Sequence, residues 1–459
     1  MNFDFMIGWG WSNPDEAKKL AMEIEKRGYS VGFLVINDNL EKELRALDLD
    51  VYNFHEMMSS LQISKSKIAR YIDEYERNYN LLSMRDFCFT EACYRGAHEE
   101  QLFEEAIKYF YSIEKFIQAH KVGCFAFGLG GEFIERVTYA VGKKVGIPVI
   151  YFDSFPPHFK GKMMLHIDEM NRLEDFTLIP FEKMSKEDRN FVDDFISSVK
   201  EKKEIQMYTM GSYHKSSICN RMLQKVGKGF NFIKTGNIAA IKNSMRYRLQ
   251  NRIVHPGRKL LSKVYYSRFA PQKQYIFFPL HKQNDSQITI RNPQFYHQEW
   301  LVQVIAQSLP QGYKLYVKGH PGREYLPIST VRFISKIPDV YLLDPDTNPY
   351  DVTEHSQAVI IINSTVGFEA LLYFKPVIVI GNWTLKGLGV TIDLDCLFDL
   401  RRAIKEAINA KVDKEKVKSV LFSLWSSMYE GSFDVPKPNL SAIADSLIKK
   451  LSRIRECRI

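Results

Sequence analysis

Three short polar turns, each closing an apolar run, hold most of the residues in this chain that can do chemistry. The run YIFFPLHKQNDSQI carries His281 and Asp285, KLYVKGHPG carries Lys318, His320 and Pro321, and AVIIINSTVGFEALLYFKPVIVIG carries Asn363, Ser364, Thr365 and Glu369. Lysine, histidine and a Ser-Thr pair suit the binding of phosphate, and an aspartate suits nucleophilic or acid-base work on a sugar. Pro321 fixes its own backbone and holds the preceding histidine extended at the strand end. The Asn363-Ser364-Thr365 triplet lies between an apolar strand and the helix expected over 366–374. A Ser or Thr there caps the helix, and the same geometry offers free N–H groups and the positive dipole end to an anion. Asp285 alone would read as a turn residue or helix cap, but beside the other two turns it reads as a carboxylate at a reacting centre. Glu132 directly follows the glycine turn Gly128–Gly131 and begins a helix, where an acid complements the dipole. If it projects from an opposite wall, it faces Asp285 and makes the carboxylate pair that glycosyl chemistry uses.

Such turns must be carried by strands. Alternation of β-rich runs, polar turns and helical segments from Tyr275 to Gly381 predicts a parallel sheet whose carboxyl ends bear the ligand loops. The amino-terminal part predicts a second unit of the same kind. A strand at Phe3–Ile7 leads through Gly8-Trp9-Gly10 into a helix with Asn13 as N-cap and Pro14 at its first position. Ala17, Leu20, Ala21 and Ile24 recur at helical spacing, Gly28 ends the helix, and a strand follows over 30–36. The scheme repeats through VGCFAFGLGGEFIERVTYAVGKKVGIPVIYFDSFPP. The expected fold class is therefore α/β: two Rossmann-like domains facing a central crevice, with a helical basic insertion. The expected boundaries are 1–175 for the first, acceptor-side domain, 176–273 for the helical basic linker or insertion and 274–396 for the second domain. Helices over 397–459 would pack back on the domains.

A chain of 459 residues, 45% hydrophobic and 25% charged, is globular and long enough for two or three cores. No run approaches the roughly 20 apolar residues of a membrane-spanning helix, and the start lacks the basic and apolar regions of a secretory signal. Six scattered cysteines without a CxxC pair, and eleven histidines without HExxH spacing, indicate neither a disulfide framework nor a metal site. No cofactor and no metal are expected. Net charge is +9, yet residues 205–284 hold 15 Lys and Arg and no Asp or Glu, so the whole positive excess lies in that block. Its aromatics show no RNA-recognition motif, so no nucleic-acid partner is expected. An anionic membrane surface or glycan fits the block better, as does the protein's own acidic surface. HPGR occurs twice, at His255–Arg258 and His320–Arg323; only the second follows an apolar strand, and the first reads as coincidence.

Through FPLHKQND, KGHP and NSTVGFEALLYFKPVIVIG, and more weakly through GLGGE, GIPVIYFD and MYEGSF, the chain resembles the bacterial capsule polysaccharide biosynthesis family. Characterised members of that family include retaining Kdo transferases of capsule assembly. The resemblance implies a GT-B fold and a CMP-activated acidic sugar donor, such as Kdo or a related nonulosonic acid, with a glycan or lipid-linked acceptor. It implies that His320, Pro321, Ser364 and Thr365 grip the cytidine monophosphate. The family's Gln-x-x-x-Asp loop, whose aspartate is a proposed nucleophile, becomes His281-x-x-x-Asp285 here, without the glutamine. Other members carry LHxQPE, which His281 and Gln283 match, with Asn284-Asp285 in place of Pro-Glu. The expected protein is a cytoplasmic transferase working at the inner membrane face, with Asp285, Glu132 and His281 catalytic. Lys318, His320, Pro321, Asn363, Ser364, Thr365 and Glu369 would bind the nucleotide and its phosphate. The competing readings are a UDP-sugar transferase or epimerase on the same fold, and a non-catalytic assembly subunit.

Overall fold

The computed structural model describes all residues except 11–12, 60, 96–97, 205–248, 250–252, 273, 321–324 and 458–459. Pro321 and the cations Lys242, Arg246, Arg248 and Arg252 therefore lie outside the described residues.

Among the described residues, fifteen strands build two large sheets and one small parallel pair, β1 (Asn2–Phe3) with β5 (Lys121–Val122). The first large sheet contains β2 (Phe5–Gly8), β3 (Val31–Val35), β4 (Val51–Asn53), β6 (Phe125–Gly128), β7 (Val149–Asp153) and β8 (Lys162–His166), with β15 (Tyr429–Glu430) added at its edge. Its spatial order is β15-β8-β7-β6-β2-β3-β4, parallel from β7 to β4 and antiparallel at β8 and β15. The second is wholly parallel, in the order β11-β10-β9-β12-β13-β14. Its members are β9 (Tyr275–Pro279), β10 (Lys314–Lys318), β11 (Val340–Leu343), β12 (Ala358–Ile361), β13 (Val377–Val379) and β14 (Ile392–Asp393).

Each sheet thus starts in its middle, winds to one side and then reverses to the other. That is the doubly wound order, and its ligand crevice lies where the direction switches, at the carboxyl ends of the strands flanking the switch. In the second domain those strands are β9 and β12, each followed two residues on by His281 or Asn363; in the first they are β2 and β6, which end at the two glycine turns. Helices on both faces force the strands to be apolar throughout, and every residue of β3, β7, β9, β12 and β13 is buried. The molecule is a two-domain GT-B arrangement.

Local chemistry explains the elements that carry the turns. Asn13 Oδ1 accepts the Asp15 N–H at 3.2 Å to start the helix Pro14–Glu25, whose buried residues are Ala17, Leu20, Ala21 and Ile24. At Gly367 a β-carbon would lie 2.4 Å from Ile361 Cδ1, so glycine lets the helix Thr365–Leu372 sit close on β12.

The carboxyl-terminal helices divide between the domains. Helix Leu400–Asn409 buries Leu400, Ala403, Ile404 and Ala407 on the second sheet. Helix Lys186–Lys202 and helix Lys414–Ser427 join an apolar cluster that runs from Tyr275, Phe277 and Val359 to Phe155, Phe159 and Met164 of the first domain. The chain then crosses back, adds β15 beside β8 and ends in the helix Leu440–Glu456 against the helix 14–25. Arg27 fixes that helix, donating Nε to Asp445 Oδ1 at 2.6 Å and Nη2 to Ser441 Oγ at 2.8 Å. Among the described residues no helix is long and apolar enough to cross a membrane.

The closing helix is held by its apolar face, and by the buried Lys450 paired with Asp175 at 2.6 Å, more than by the exposed pair of Arg27 and Asp445. Leu447 is fully buried, so Leu447→Ala should destabilise the protein by about 2–5 kcal/mol through lost burial and the cavity left behind. Asp445→Ala removes a largely exposed partner of Arg27 and should cost less than about 1 kcal/mol. Urea unfolding midpoints of the two variants check the order.

Candidate active site

Between the domains lies a crevice of about 400 Å³. The second domain lines it with His281, Asp285, Ser286, Gln287, Lys318, His320, Asn363, Ser364, Thr365 and Glu369, so nine of these ten come from the three turns at the ends of β9, β10 and β12 or their immediate helices, and Glu369 lies one turn into the last. The first domain contributes Leu129, Phe152, Asp153, Ser154, Phe155 and Asn171.

The β9 loop is fixed from both sides. Gln298 Oε1 accepts the His281 N–H at 2.7 Å, and Gln298 Nε2 donates to the His281 carbonyl at 3.2 Å. The buried His281 ring accepts the Asn363 N–H on Nε2 at 3.3 Å, which leaves its proton on Nδ1. Burial lowers its pKa to about 4 against the opposing charge of Asp285, so it stays a neutral donor at physiological pH. Asp285 caps the short helix Ser286–Thr289, its Oδ1 accepting the Gln287 N–H at 2.9 Å. Gln287 Oε1 in turn accepts from Asn363 Nδ2 at 2.6 Å, which ties the first turn to the third.

At the end of β10, Lys318 is 2% exposed, with Nζ donating to the Gly319 carbonyl at 3.2 Å. His320, by contrast, stands exposed at the crevice rim. At the end of β12, Ser364 Oγ accepts the Val366 N–H at 3.3 Å and begins the helix Thr365–Leu372. Glu369 on that helix is buried, and its Oε2 has no hydrogen-bond partner. Burial raises its pKa to about 8, opposed by the charge of Lys318, while burial lowers Lys318 to about 8, opposed by Glu369. Two groups of opposite sign thus change charge close to neutrality at the floor of the crevice. Behind that floor, outside the crevice lining, His158 stacks on Phe368 with Nε2 2.8 Å from the Tyr350 hydroxyl and 3.9 Å from Glu369 Oε1, and burial lowers its pKa to about 4.

The first-domain wall differs from expectation. Glu132 is exposed at the start of helix Phe133–Val145, where its N–H donates to Glu135 Oε2 at 3.3 Å, and it does not line the crevice. Its place ahead of the first helical turn directs it to capping rather than across to Asp285. The first-domain carboxylate in the crevice is Asp153, the last residue of β7. Its Oδ1 accepts the Phe155 N–H at 3.0 Å, and its Oδ2 lies 3.3 Å from His166 Nε2. Burial disfavours the His166 imidazolium, but the Asp153 carboxylate outweighs it and the pKa lies above the ordinary histidine value.

From Asp153 a polar chain crosses to the other domain. Asn171 Nδ2 donates to Asp153 Oδ2 at 3.5 Å, Arg291 Nε donates to Asn171 Oδ1 at 2.9 Å, and Arg291 Nη1 donates to Ser286 Oγ at 3.0 Å. Asp153 was signalled by its place at the end of GIPVIYFD, the same signal that marks Lys318. Asn171 and Arg291 carry no local signal, because they meet only in the folded chain.

The first HPGR copy also proves to be structural. His255 Nδ1 accepts the Tyr325 N–H at 3.3 Å and Arg258 Nη1 donates to the Tyr325 carbonyl at 3.1 Å, so this copy grips the segment following the second.

No curated protein sequence matches the chain. Among solved structures it is similar to the beta Kdo 2,4 transferase of KpsC from Thermosulfurimonas dismutans, with 12% identity, a TM-score of 0.34 and coverage of 73% of this chain and 93% of that one. The beta Kdo 2,7 transferase of the same organism's KpsC shows 14% identity, a TM-score of 0.34 and coverage of 75% and 95%. The UDP-GlcNAc 2-epimerase from Methanocaldococcus jannaschii shows 12% identity, a TM-score of 0.27 and coverage of 92% and 99%. The family described as capsule polysaccharide biosynthesis protein matches residues 187–421, just over half of the chain and including every second-domain residue of the crevice. The chain belongs to the capsule polysaccharide biosynthesis protein family.

Proposed function

We propose that the protein is a glycosyltransferase of capsule or surface polysaccharide synthesis, moving an acidic sugar of the Kdo type from a CMP-sugar to a glycan or glycolipid. The observation that carries this reading is the donor set at the second domain's switch point: Lys318, His320, neutral His281 and the Ser364-Thr365 helix start, all around one crevice with Asp285. A nucleotide phosphate fits such a set, because a cation, imidazole groups and the positive end of the helix Thr365–Leu372 line one crevice. In this reading these protein groups meet the phosphate charge without a metal ion. The nucleotide sugar is a cytoplasmic donor, which assigns the enzyme to that compartment.

The reaction follows from the two walls. Asp285 attacks the anomeric carbon as the bond to the CMP phosphate oxygen breaks, and the leaving phosphate keeps the electron pair beside Lys318 and the helix start. The acceptor hydroxyl then attacks the same carbon, the bond to Asp285 breaks, and the hydroxyl proton passes to a base. Asp153, backed by His166, is the first-domain carboxylate available for that proton. Two displacements return the original anomeric configuration.

Three measurements test the reading. His320→Ala should weaken CMP binding at least about tenfold, the scale of one hydrogen bond to a charged group, with the fold unchanged. Calorimetry that finds tight UDP binding and inert CMP would overturn the choice of donor. Asp285→Asn should lower transfer by about a hundredfold or more while nucleotide affinity stays within a few-fold; near-normal transfer would make Asp285 a turn residue only.

The third concerns pH. Lys318 is charged below its lowered pKa of about 8, and Glu369 becomes an anion above its raised pKa of about 8. Both changes disfavour a bound phosphate as pH rises, so CMP affinity should be steady near pH 7 and fall through pH 8 to 9 by up to about tenfold per unit per group. Lys318→Met should lower the affinity and flatten the profile, and Glu369→Gln should remove what slope remains. A profile in the wild-type protein that is flat over this range would refute the assignment of Lys318 to the phosphate.

A further inference from the structure

The block without acids also has a described part, and its surface is inverted. In helix His255–Ser262 and its flanks, Ile253, Leu260, Leu261 and Val264 are 64%, 67%, 61% and 81% exposed. Spacings of seven, eight and eleven residues put them on one helical face. The opposite face holds the polar contacts: Arg258 donates to the Tyr325 carbonyl, and Lys259 pairs with Asp346 at 2.9 Å and lies over the Tyr325 ring. Two cations of the block thus make contacts with the protein itself, while leucines face water. Lys263 and Arg268 are exposed beside the apolar face, with the half-buried rings of Tyr265 and Tyr266 between them. An apolar stripe with a cationic border, in an 80-residue stretch free of acids, matches an anionic bilayer in charge and polarity, while Tyr265 and Tyr266 pack against the second-domain core behind it.

We propose that this face, from Ile253 to Arg268, docks the protein on an anionic lipid surface. The leucines and Val264 enter the headgroup boundary while Lys263 and Arg268 pair with lipid phosphates. The same helix binds the second domain through Tyr325, whose N–H His255 accepts and whose carbonyl Arg258 meets. The inference stands on exposure and charge and does not depend on which sugar or nucleotide the crevice takes.

Flotation of the full chain tests it, using vesicles of phosphatidylcholine alone and of phosphatidylcholine with about 30% phosphatidylglycerol. Binding should need the anionic lipid and weaken severalfold as salt rises and the Debye length shrinks. Leu260→Ser with Leu261→Ser and Val264→Ser should lower partitioning at least about tenfold, and so should Lys263→Glu with Arg268→Glu. Thermal unfolding and CMP binding should stay as in the parent. The charge pair is fully on the surface, so it keeps the test open if the apolar triple variant folds poorly. No flotation, equal flotation with neutral vesicles, or unchanged flotation of the charge variant would overturn the proposal. So would an apolar variant that dissociates a dimer in sedimentation while floating as the parent does.

Discussion

A guanidinium withdrawn from water where two domains meet has to be satisfied by groups from both, and Arg291 is that group here. It is 2% exposed, with Asn171 of the first domain on one side and Ser286 of the second on the other. Burial lowers its pKa, while the carboxylates Asp153, Asp285, Glu169 and Glu135 around it favour the charge. Removing any of these partners leaves a buried cation short of compensation, which is far costlier than breaking a surface pair. The position of Ser286, and so of the neighbouring Asp285, is thereby tied to the first domain. The crevice has its shape because one charge requires both walls.

The fold was legible in the sequence wherever its signal is local. The spacing of Ala17, Leu20, Ala21 and Ile24 states a helix face by itself, and apolar runs ending in Asp285, Lys318 or Ser364 loops state parallel strands and their ligand ends. These signals need only the periods of helix and strand and the chemistry of turns. What was not legible depends on how one domain faces the other. Glu132 and Asp153 both follow strands of the first sheet, but only the tertiary arrangement decides that Asp153 lines the crevice and Glu132 caps a helix. The repeated HPGR misled for the same reason, since its first copy works through Tyr325, which no local pattern links to it.

Charge in this chain is read best against burial. Lys318 and Glu369 share the crevice with the neutral His281, so the charge of its floor changes through two groups that both titrate near neutrality. The described part of the basic block shows the opposite regime, where cations stand at the surface and the exposed apolar side chains are the misplaced groups.

The return of the chain to its first domain has a mechanical consequence. The polypeptide passes between the domains twice, once ahead of helix 186–202 and once at Met428-Tyr429, where Met428 belongs to the cluster shared by the domains and Tyr429 to the core under helix 440–456. Two covalent ties and an apolar joint lie together, whereas farther along the described seam lie the hydrogen bonds of Arg291 and the Phe89–Tyr296 ring contact. Water can replace hydrogen bonds with little loss but cannot replace apolar packing. A parting of the walls that keeps the apolar packing therefore pivots about that joint, as in a hinged clamshell.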